Sequence, residues 1–242
     1  MSTSSTLYKI QRHLTRITLA PIEVFVFHSV SDTFDSSLCQ KQDWTPTPAF
    51  QQHILKLKQK YTFISLPEAY RKLTTGILRR HRYAVLTSDD GNRSLLSLLP
   101  WLDRQQIPIT LFLNPRYLDG TSIRPDYAPA PQYITQADLP SIHSPLVSIA
   151  LHGYEHTDST TLPPQEFDHQ VDLCLQALQS HPRFIPYFAY TWGRYNSRTQ
   201  DIIRHKGLIP VFCDGASNRR YRDGISRRCI DNPEGTATQQ FL

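Results

Sequence analysis

The chain has 242 residues, of which 39% are hydrophobic and 19% charged, and its formal net charge is +5. This composition supports a globular core and excludes a disordered or collagen-like chain. The four cysteines are scattered without a C-x-x-C pair, so free thiols are expected rather than a disulfide scaffold or a zinc ribbon. The sequence contains no apolar run of about 18 residues and no signal-peptide pattern, which predicts a cytoplasmic protein without a membrane span.

The basic residues concentrate near the C-terminus, in the segment "RRYRDGISRR" from Arg219 to Arg228. This segment matches no nucleic-acid-binding motif, so we expect no nucleic-acid partner. It is interpreted as a solvated surface, with an anionic polymer left open as a partner.

The first half of the chain alternates strand-like and helix-like patterns. "IEVFVFHSV" (22–30) is a strand, and "TPAFQQHILKLKQKY" (47–61) is a helix with Thr47 as its N-cap. A short strand "TFISL" precedes the helix "PEAYRKLTTG", which is expected to stop at Gly76. The strand "YAVLTS", a helix interrupted or restarted at Pro100, and the strand "IPITLFLN" (107–114) follow.

The second half continues the alternation after a predicted long loop at 115–145. "LVSIALHGYEH" is a strand followed by a loop, and "PPQEFDHQVDLCLQALQSH" (163–181) is the clearest helix. "RFIPYFAYTWG" is a strand and turn, "SRTQDIIRHKG" a helix closed by Gly207, and "LIPVFCDG" a last strand.

Such alternation is typical of an α/β fold with a parallel sheet. It predicts a single-domain α/β protein with a distorted or incomplete (β/α)7 barrel. The barrel domain is assigned to residues 21–242, after an N-terminal extension at 1–20. An open doubly wound sheet is the alternative.

Polar residues follow three of the predicted strands. Asp89 and Asp90 end the first, His152 and His156 follow the second, and the segment "AYTWGRYN" follows the third. In parallel α/β folds the carboxyl ends of strands meet at one face, so these groups are expected to converge. A lone Asp-Asp-Gly is commonly a turn, and a lone pair of histidines is a weak metal signal.

Together these groups indicate a metal site. Two histidines and one carboxylate leave an open position for water, which is the pattern of catalytic zinc. The arrangement would also resolve the repulsion between adjacent carboxylates, because one aspartate binds the dication. The other aspartate then stays free to accept a proton.

The same motifs resemble the polysaccharide deacetylase family, the NodB-homology carbohydrate esterases. The resemblance rests on "LTSDDG", "IPITLFLN", "ALHGYEH" and "FAYTWGRYN" in this order, with "FHSVSD" and "FISLPEAY" near the N-terminus. It implies an incomplete (β/α) barrel and a divalent metal, usually zinc. It also implies a hydrolase that removes N-acetyl groups from an N-acetylated sugar or polysaccharide.

The family's motifs assign roles to individual residues. Asp89 resembles the catalytic base, and Asp90, His152 and His156 resemble the metal ligands. The metal would polarise the N-acetyl carbonyl and activate water, while Asp89 takes the proton. Trp192 stands where the family has a tyrosine whose backbone N–H helps to form the oxyanion hole.

Several positions depart from the family pattern. Ser88 replaces a phenylalanine, and Ala189 stands where one subgroup has an arginine that orients the catalytic aspartate. The family often supplies a late histidine as general acid, and this chain has none after His205. Asp214 or a water is the alternative proton donor.

Four residues are candidates for binding substrate: His28, Tyr190, Trp192 and Asp214. Trp192 is expected to stack on a sugar ring or to serve as a packing aromatic, and His28 to line the pocket or be structural. Two alternatives to the deacetylase stay open. One is a non-catalytic glycan-binding protein with a degraded site, and the other is a hydrolase of another non-peptide C–N bond. The sequence leaves the oligomeric state open.

Overall fold

A curved parallel sheet forms the centre of the protein in the computed structural model, which describes residues 20–36, 40–75, 81–124 and 132–231. The strands are β1 (Ile22–Phe27), β2 (Ser29–Ser31), β3 (Trp44–Pro46), β4 (Thr62–Phe63), β5 (Tyr83–Ser88), β6 (Ile109–Leu113), β7 (Val147–Leu151), β8 (Phe184–Ala189), β9 (Ile209–Val211) and β10 (Arg228–Cys229). The helices are α1 (Thr47–Lys58), α2 (Leu66–Thr74), α3 (Leu95–Arg104), α4 (Pro164–Leu178) and α5 (Ser197–His205).

The main sheet has the strand order β10-β1-β5-β6-β7-β8-β9, and β4 pairs with β5 at one end of that strand. Every ladder in the described residues is parallel. Because parallel neighbours need crossover connections, α-helices precede β5, β6, β8 and β9, whereas the described residues between β6 and β7 contain only short 3-10 helices. The predicted incomplete (β/α)7 barrel is therefore confirmed over the open doubly wound alternative.

The segment from Ile225 to Ile230 lies between the two edges of this barrel. Ile225 forms a parallel bridge to Val211 of β9, and β10 pairs with β1 through the register Phe25 to Arg228. The Ile230 N–H donates to the Val26 carbonyl at 2.9 Å. The basic segment from Arg219 to Arg228 was interpreted as a solvated surface, yet the backbone from Ile225 onward pairs with β9 and β1 and protects their edges.

Alternating side chains of the strands divide the core into two layers. The barrel interior is filled by small, branched and aromatic residues such as Val24, Val85, Phe112 and Ala150. The outer layer packs Phe27, Leu86 and other strand residues against the helices. Successive strand residues face opposite sides, so each strand contributes to both layers and reads as a continuous apolar run.

Two helix boundaries differ from expectation. Helix α1 ends at Lys58, and Pro46 rather than Thr47 is its N-cap, because Thr47 already has helical backbone as the first residue of the helix. Helix α3 continues through Pro100 from Leu95 to Arg104 without a restart. Pro100 lies in the second turn, so its missing N–H removes only one hydrogen bond near the start of the helix.

Other expectations are confirmed where the structure describes them. Helix α4 buries the predicted face formed by Phe167, Val171, Cys174 and Leu178. The predicted loop at 115–145 contains short 3-10 helices at Pro115–Asp119 and Leu139–Ser141. Residues 1–19 of the predicted extension at 1–20, the stop at Gly76 and Cys39 lie outside the described residues. Among the helices that are described, none combines the length and apolar character needed to cross a bilayer.

Candidate active site

A pocket opens where the carboxyl ends of β1, β5, β7 and β8 meet. It is lined by residues that follow each of these strands, among them His28, Asp89, Asp90, His152, His156 and Trp192. The three sequence motifs are far apart in the chain and converge here because all the strands run in the same direction.

Three donor atoms converge in this pocket. Oδ1 of Asp90 lies 3.1 Å from Nε2 of His156 and 3.4 Å from Nε2 of His152. The donors of the three residues all lie within 4.8 Å of one another. Oδ1 of Asp90 is buried and has no hydrogen-bond partner among the described residues. A buried carboxylate oxygen without a hydrogen-bond donor, beside two imidazole nitrogens, fits a divalent cation.

The backbone around these ligands is unusual. Asp90 has φ 67° and His156 has φ 57°, which is the left-handed region that non-glycine residues seldom occupy. Such a conformation costs on the order of 1–3 kcal/mol per residue and clusters at functional sites. At Asp90 the side chain turns into the pocket just after β5 ends, whereas His156 lies in the loop that follows β7.

Gly91 makes the turn after Asp90 possible. Its φ is 70°, and a Cβ at this position would lie 2.7 Å from Cδ2 of Leu113. A glycine is therefore required for both the backbone conformation and the close approach of β6.

A hydrogen bond on the side of the ring away from the pocket fixes the orientation of His152. Its Nδ1 lies 3.0 Å from the carbonyl oxygen of Ala189, so Nδ1 carries the proton and Nε2 faces the pocket. Asn114 Nδ2 donates to the carbonyl of His152 and, at 3.1 Å, to that of Gly153. These contacts hold the loop that carries both histidines against the end of β6.

Each of the adjacent aspartates has its own arginine. Asp89 is paired in a bidentate manner with Arg227, with Nη1–Oδ1 at 2.6 Å and Nη2–Oδ2 at 2.8 Å. Asp90 uses Oδ2 to accept a hydrogen bond from Nη1 of Arg124 at 2.9 Å. Both arginine side chains are only 1% exposed.

The two guanidiniums keep both carboxyls ionised. Burial alone would raise the pKa of Asp89, but Arg227 outweighs it and lowers that pKa below the usual aspartate value. Burial opposes ionisation of Asp90 too, and His156 with Arg124 hold its pKa well below the usual range. Burial lowers the pKa of His156, which favours the neutral imidazole that a metal requires.

His28 is held by a partner from the other end of the chain. Its Nδ1 lies 2.6 Å from Oδ2 of Asp231, and its backbone N–H donates to Oδ1 at 3.0 Å. Burial alone would lower the pKa of His28, but the Asp231 carboxylate outweighs it and raises the pKa well above the usual histidine value. Ser88, which replaces the family's phenylalanine, donates its hydroxyl to the His28 carbonyl at 3.3 Å.

The remaining candidates differ in their placement. Trp192 is 50% exposed at the pocket rim, with its ring 4.9 Å from that of His156. Tyr190 is buried at the base of the pocket and stacks on Phe212. Asp214 lies in a neighbouring groove, where it accepts hydrogen bonds from Ser226 and from the Ala216 N–H. The structure therefore brings Trp192 and Tyr190 to the site but leaves Asp214 outside it.

Sequence reasoning missed Arg124 and Asp43, which line the pocket, and it also missed Arg227 and Asp231, which contact the pocket residues Asp89 and His28. The assignment of Arg227 to a solvated surface is wrong, because its guanidinium is buried above the ring of Phe112 inside the barrel. The sequence did contain one signal, because Ala189 stands where one subgroup of the family has an arginine that orients the catalytic aspartate. In this protein Arg227, from a different part of the chain, contacts that aspartate instead.

Comparison with known proteins places the chain in a family. The family model for polysaccharide deacetylases matches residues 79–211, more than half of the chain. The protein therefore belongs to the polysaccharide deacetylase family. Membership of this family supports an enzyme that hydrolyses carbon–nitrogen bonds other than peptide bonds. The matched region contains Asp89, Asp90, His152 and His156, whereas His28 lies before it.

Solved structures show the same fold. IcaB from Ammonifex degensii is 20% identical over 89% of this chain and 94% of that chain, with a TM-score of 0.73. The Streptococcus pyogenes deacetylase PplD in complex with acetate is 19% identical over 88% and 94%, with a TM-score of 0.70. A de-N-acetylase from Aggregatibacter actinomycetemcomitans is 18% identical over 90% and 97%, with a TM-score of 0.69. No curated protein matches the sequence.

Proposed function

We propose that the protein removes N-acetyl groups from an N-acetylated sugar or polysaccharide with the help of a divalent cation, which we take to be zinc. The observation that carries the proposal is the convergence of Asp90, His152 and His156 beside an ionised Asp89. Three protein ligands leave a coordination position open. A cation bound there would supply a Lewis acid for the amide carbonyl and lower the pKa of water.

Asp89 is proposed as the general base. Its Oδ2 lies 3.8 Å from Nε2 of His152, so the carboxylate reaches the edge of the ligand set without belonging to it. Arg227 holds both carboxylate oxygens, which keeps the group ionised and fixes its direction. A base must first be within reach of the proton that it accepts, and this geometry provides that reach.

His28 is proposed as the general acid in place of the missing late histidine. It lines the same pocket, and Asp231 holds its Nδ1, which leaves Nε2 to donate a proton to the departing amine. A raised pKa keeps the imidazole protonated near neutral pH, as a proton donor requires. This arrangement makes Asp214 unnecessary as a donor.

Trp192 is proposed to serve the substrate in two ways. Its backbone, at φ 58°, lies in the turn Thr191–Gly193 where an N–H can face the developing oxyanion. Its ring is half exposed at the pocket rim, where an aromatic face can stack on a sugar.

Acetate release from N-acetylglucosamine oligomers tests the proposal. The metal-stripped protein is assayed with and without added zinc, beside Asp89→Asn and the control His205→Ala, which alters an exposed histidine on α5. We expect zinc-dependent release that is lost in Asp89→Asn and kept in His205→Ala. Release that is absent, or equal in wild type and Asp89→Asn, would refute the proposed chemistry.

Metal content tests the ligands separately from turnover. We expect wild type to bind one more zinc ion per chain than His152→Ala, and His205→Ala to match wild type. Equal zinc content in wild type and His152→Ala would contradict the ligand assignment.

One observation favours a second function, that of a non-catalytic glycan-binding protein. The Arg124 guanidinium lies against Oδ2 of Asp90 and places a positive charge beside the carboxylate that should hold the cation. If this charge replaces the metal, the wild-type protein has the same zinc content as His152→Ala but still binds the oligomers through the pocket. Calorimetric titration with oligomers, in parallel with the zinc measurement, separates the two functions.

A further inference from the structure

A thiol lies beside the His28–Asp231 pair. Cys229 of β10 donates its Sγ–H to Oδ2 of Asp231 at 3.1 Å, the same oxygen that lies 2.6 Å from Nδ1 of His28. One nitrogen, one sulfur and one oxygen donor thus lie within 4.8 Å of one another. None of them belongs to the Asp90 ligand set, although both groups border the same pocket.

We propose that His28, Cys229 and Asp231 form a second cation site, selective for thiophilic ions such as Zn²⁺ and Cd²⁺. The donor set combines imidazole, thiolate and carboxylate, which suits zinc-like ions and disfavours hard ions such as Mg²⁺. Three protein donors leave a fourth position that opens toward the pocket.

The geometry requires little movement. Metal–ligand bonds of about 2.0–2.3 Å place neighbouring donors of a tetrahedral zinc site roughly 3.3–3.8 Å apart. The present separations of 2.6 and 3.1 Å reflect hydrogen bonds between the same atoms. A cation that replaces the bridging protons needs only a modest opening of the triad.

Charges and protons balance when a dication binds to this second site. Binding of a dication releases the Cys229 thiol proton and the Nδ1 proton of His28. The resulting thiolate and the Asp231 carboxylate together neutralise the two positive charges. The strands hold these donors in place, since β10 pairs with β1 and so sets Cys229 beside the end of the strand that carries His28.

An occupied second site would inhibit the enzyme, and this consequence rests on the proposed function. The cation would take both Nδ1 of His28 and the Asp231 carboxylate as ligands, so the imidazole would be held by the metal rather than by Asp231 in its proposed role as the acid. The same metal that supports the reaction at Asp90 would therefore suppress it at higher concentration.

Cadmium is the probe for the site, because a thiolate–cadmium bond gives a near-ultraviolet charge-transfer band. We expect wild type to bind two cadmium ions per chain and to show this band. Cys229→Ser should bind one ion without the band. Cys213→Ser removes another thiol that lines the pocket, and it should keep both ions and the band.

Two further variants keep the test decisive. His152→Ala should lose one ion and keep the band, because it affects only the first site. Asp231→Asn keeps the thiol but removes the carboxylate donor. The affinity of the second site for cadmium should therefore fall at least tenfold, since loss of even an outer partner of a metal ligand costs about that much. A wild type without the band, or a band that persists in Cys229→Ser, overturns the proposal. If Cys229→Ser fails to fold, the Asp231→Asn affinity decides, and an unchanged value refutes the site.

Acetate release across a zinc titration tests the inhibition. As zinc increases, we expect the rate of acetate release by wild type to rise and then fall. The rate of Cys229→Ser should rise to a plateau. A fall that persists in Cys229→Ser overturns the inhibitory role. If no acetate is released by any protein, the proposed function fails, yet the cadmium stoichiometry still decides whether the second site exists.

Discussion

The buried pair of Asp89 and Arg227 makes a strong prediction about stability. Arg227→Gln removes the cation and leaves the Asp89 carboxylate inside the barrel, where it is 4% exposed. Removal of one partner of a buried ion pair costs about 3–5 kcal/mol, because the other charge loses its compensation. Typical domains unfold with only about 5–15 kcal/mol, so this loss is a large fraction of the total.

The contacts of Arg227 refine this magnitude. Its guanidinium donates to both oxygens of Asp89, to the Thr87 hydroxyl at 3.3 Å and to the Phe212 carbonyl at 3.2 Å. Arg227→Lys retains the charge but cannot reproduce the bidentate geometry. We expect it to lose about 1.5–3 kcal/mol, the value of one hydrogen bond to a charged group.

Urea denaturation at neutral pH measures these losses. The neighbouring Arg228→Gln is a matched control, because Arg228 is exposed and contacts the Gly215 carbonyl. We expect the control to remain within about 0.5 kcal/mol of wild type. Arg227→Gln within about 1 kcal/mol of the control would refute a buried, compensated pair.

The same ion pair determines how the free energy of unfolding depends on pH. Because the folded-state pKa of Asp89 is lowered, its contribution is present above the unfolded-state pKa and is lost as pH falls through the folded-state pKa. In Arg227→Gln, burial dominates and raises that pKa, so the variant should gain relative stability on acidification. A double variant, Asp89→Asn with Arg227→Gln, should be more stable than Arg227→Gln alone, and a less stable double variant would contradict the reasoning.

Three further predictions concern the pocket. Asp231→Asn removes the carboxylate that raises the pKa of His28, so the alkaline limb of the acetate-release profile should shift to lower pH; an unchanged limb would exclude His28 as the acid. Gly91→Ala should lower the free energy of unfolding by about 1–3 kcal/mol in urea melts, because the residue has φ 70° and lacks space for a methyl group; an unaffected midpoint would contradict this. Arg124→Gln should raise zinc affinity on the order of tenfold, because a positive charge beside Asp90 is removed; calorimetry that shows unchanged or weaker binding would assign Arg124 to positioning instead.

The sequence predicts the order of strands and helices because each apolar run is bounded by turn residues. It also predicts convergence of Asp89, Asp90, His152 and His156, since each follows a strand and parallel strands end together. The family motifs add roles to these residues, and the structure brings all four into one pocket.

The partners of these residues could not be predicted from local pattern. Arg227 lies 138 residues from Asp89, and Asp231 lies 203 residues from His28. The strand that carries the segment has only two residues, Arg228–Cys229, which is too short to show periodicity. This segment pairs with β1 and β9 because of tertiary packing between distant parts of the chain. The same packing buries Arg227, which composition alone assigns to the surface.

The adjacent acids Asp89 and Asp90 contact different partners because of how β5 ends. Strand alternation sets Val85 in the barrel interior, and the Thr87 hydroxyl and Asp89 carboxylate on the same side both accept from Arg227. Continued alternation would turn Asp90 away from that side, but its left-handed backbone at φ 67° redirects it toward the histidines. The two carboxylates therefore point to separate partners, and each is compensated by a different arginine. An exchange of their proposed roles would need a different strand ending, which supports Asp89 as the proposed base and Asp90 as the proposed metal ligand.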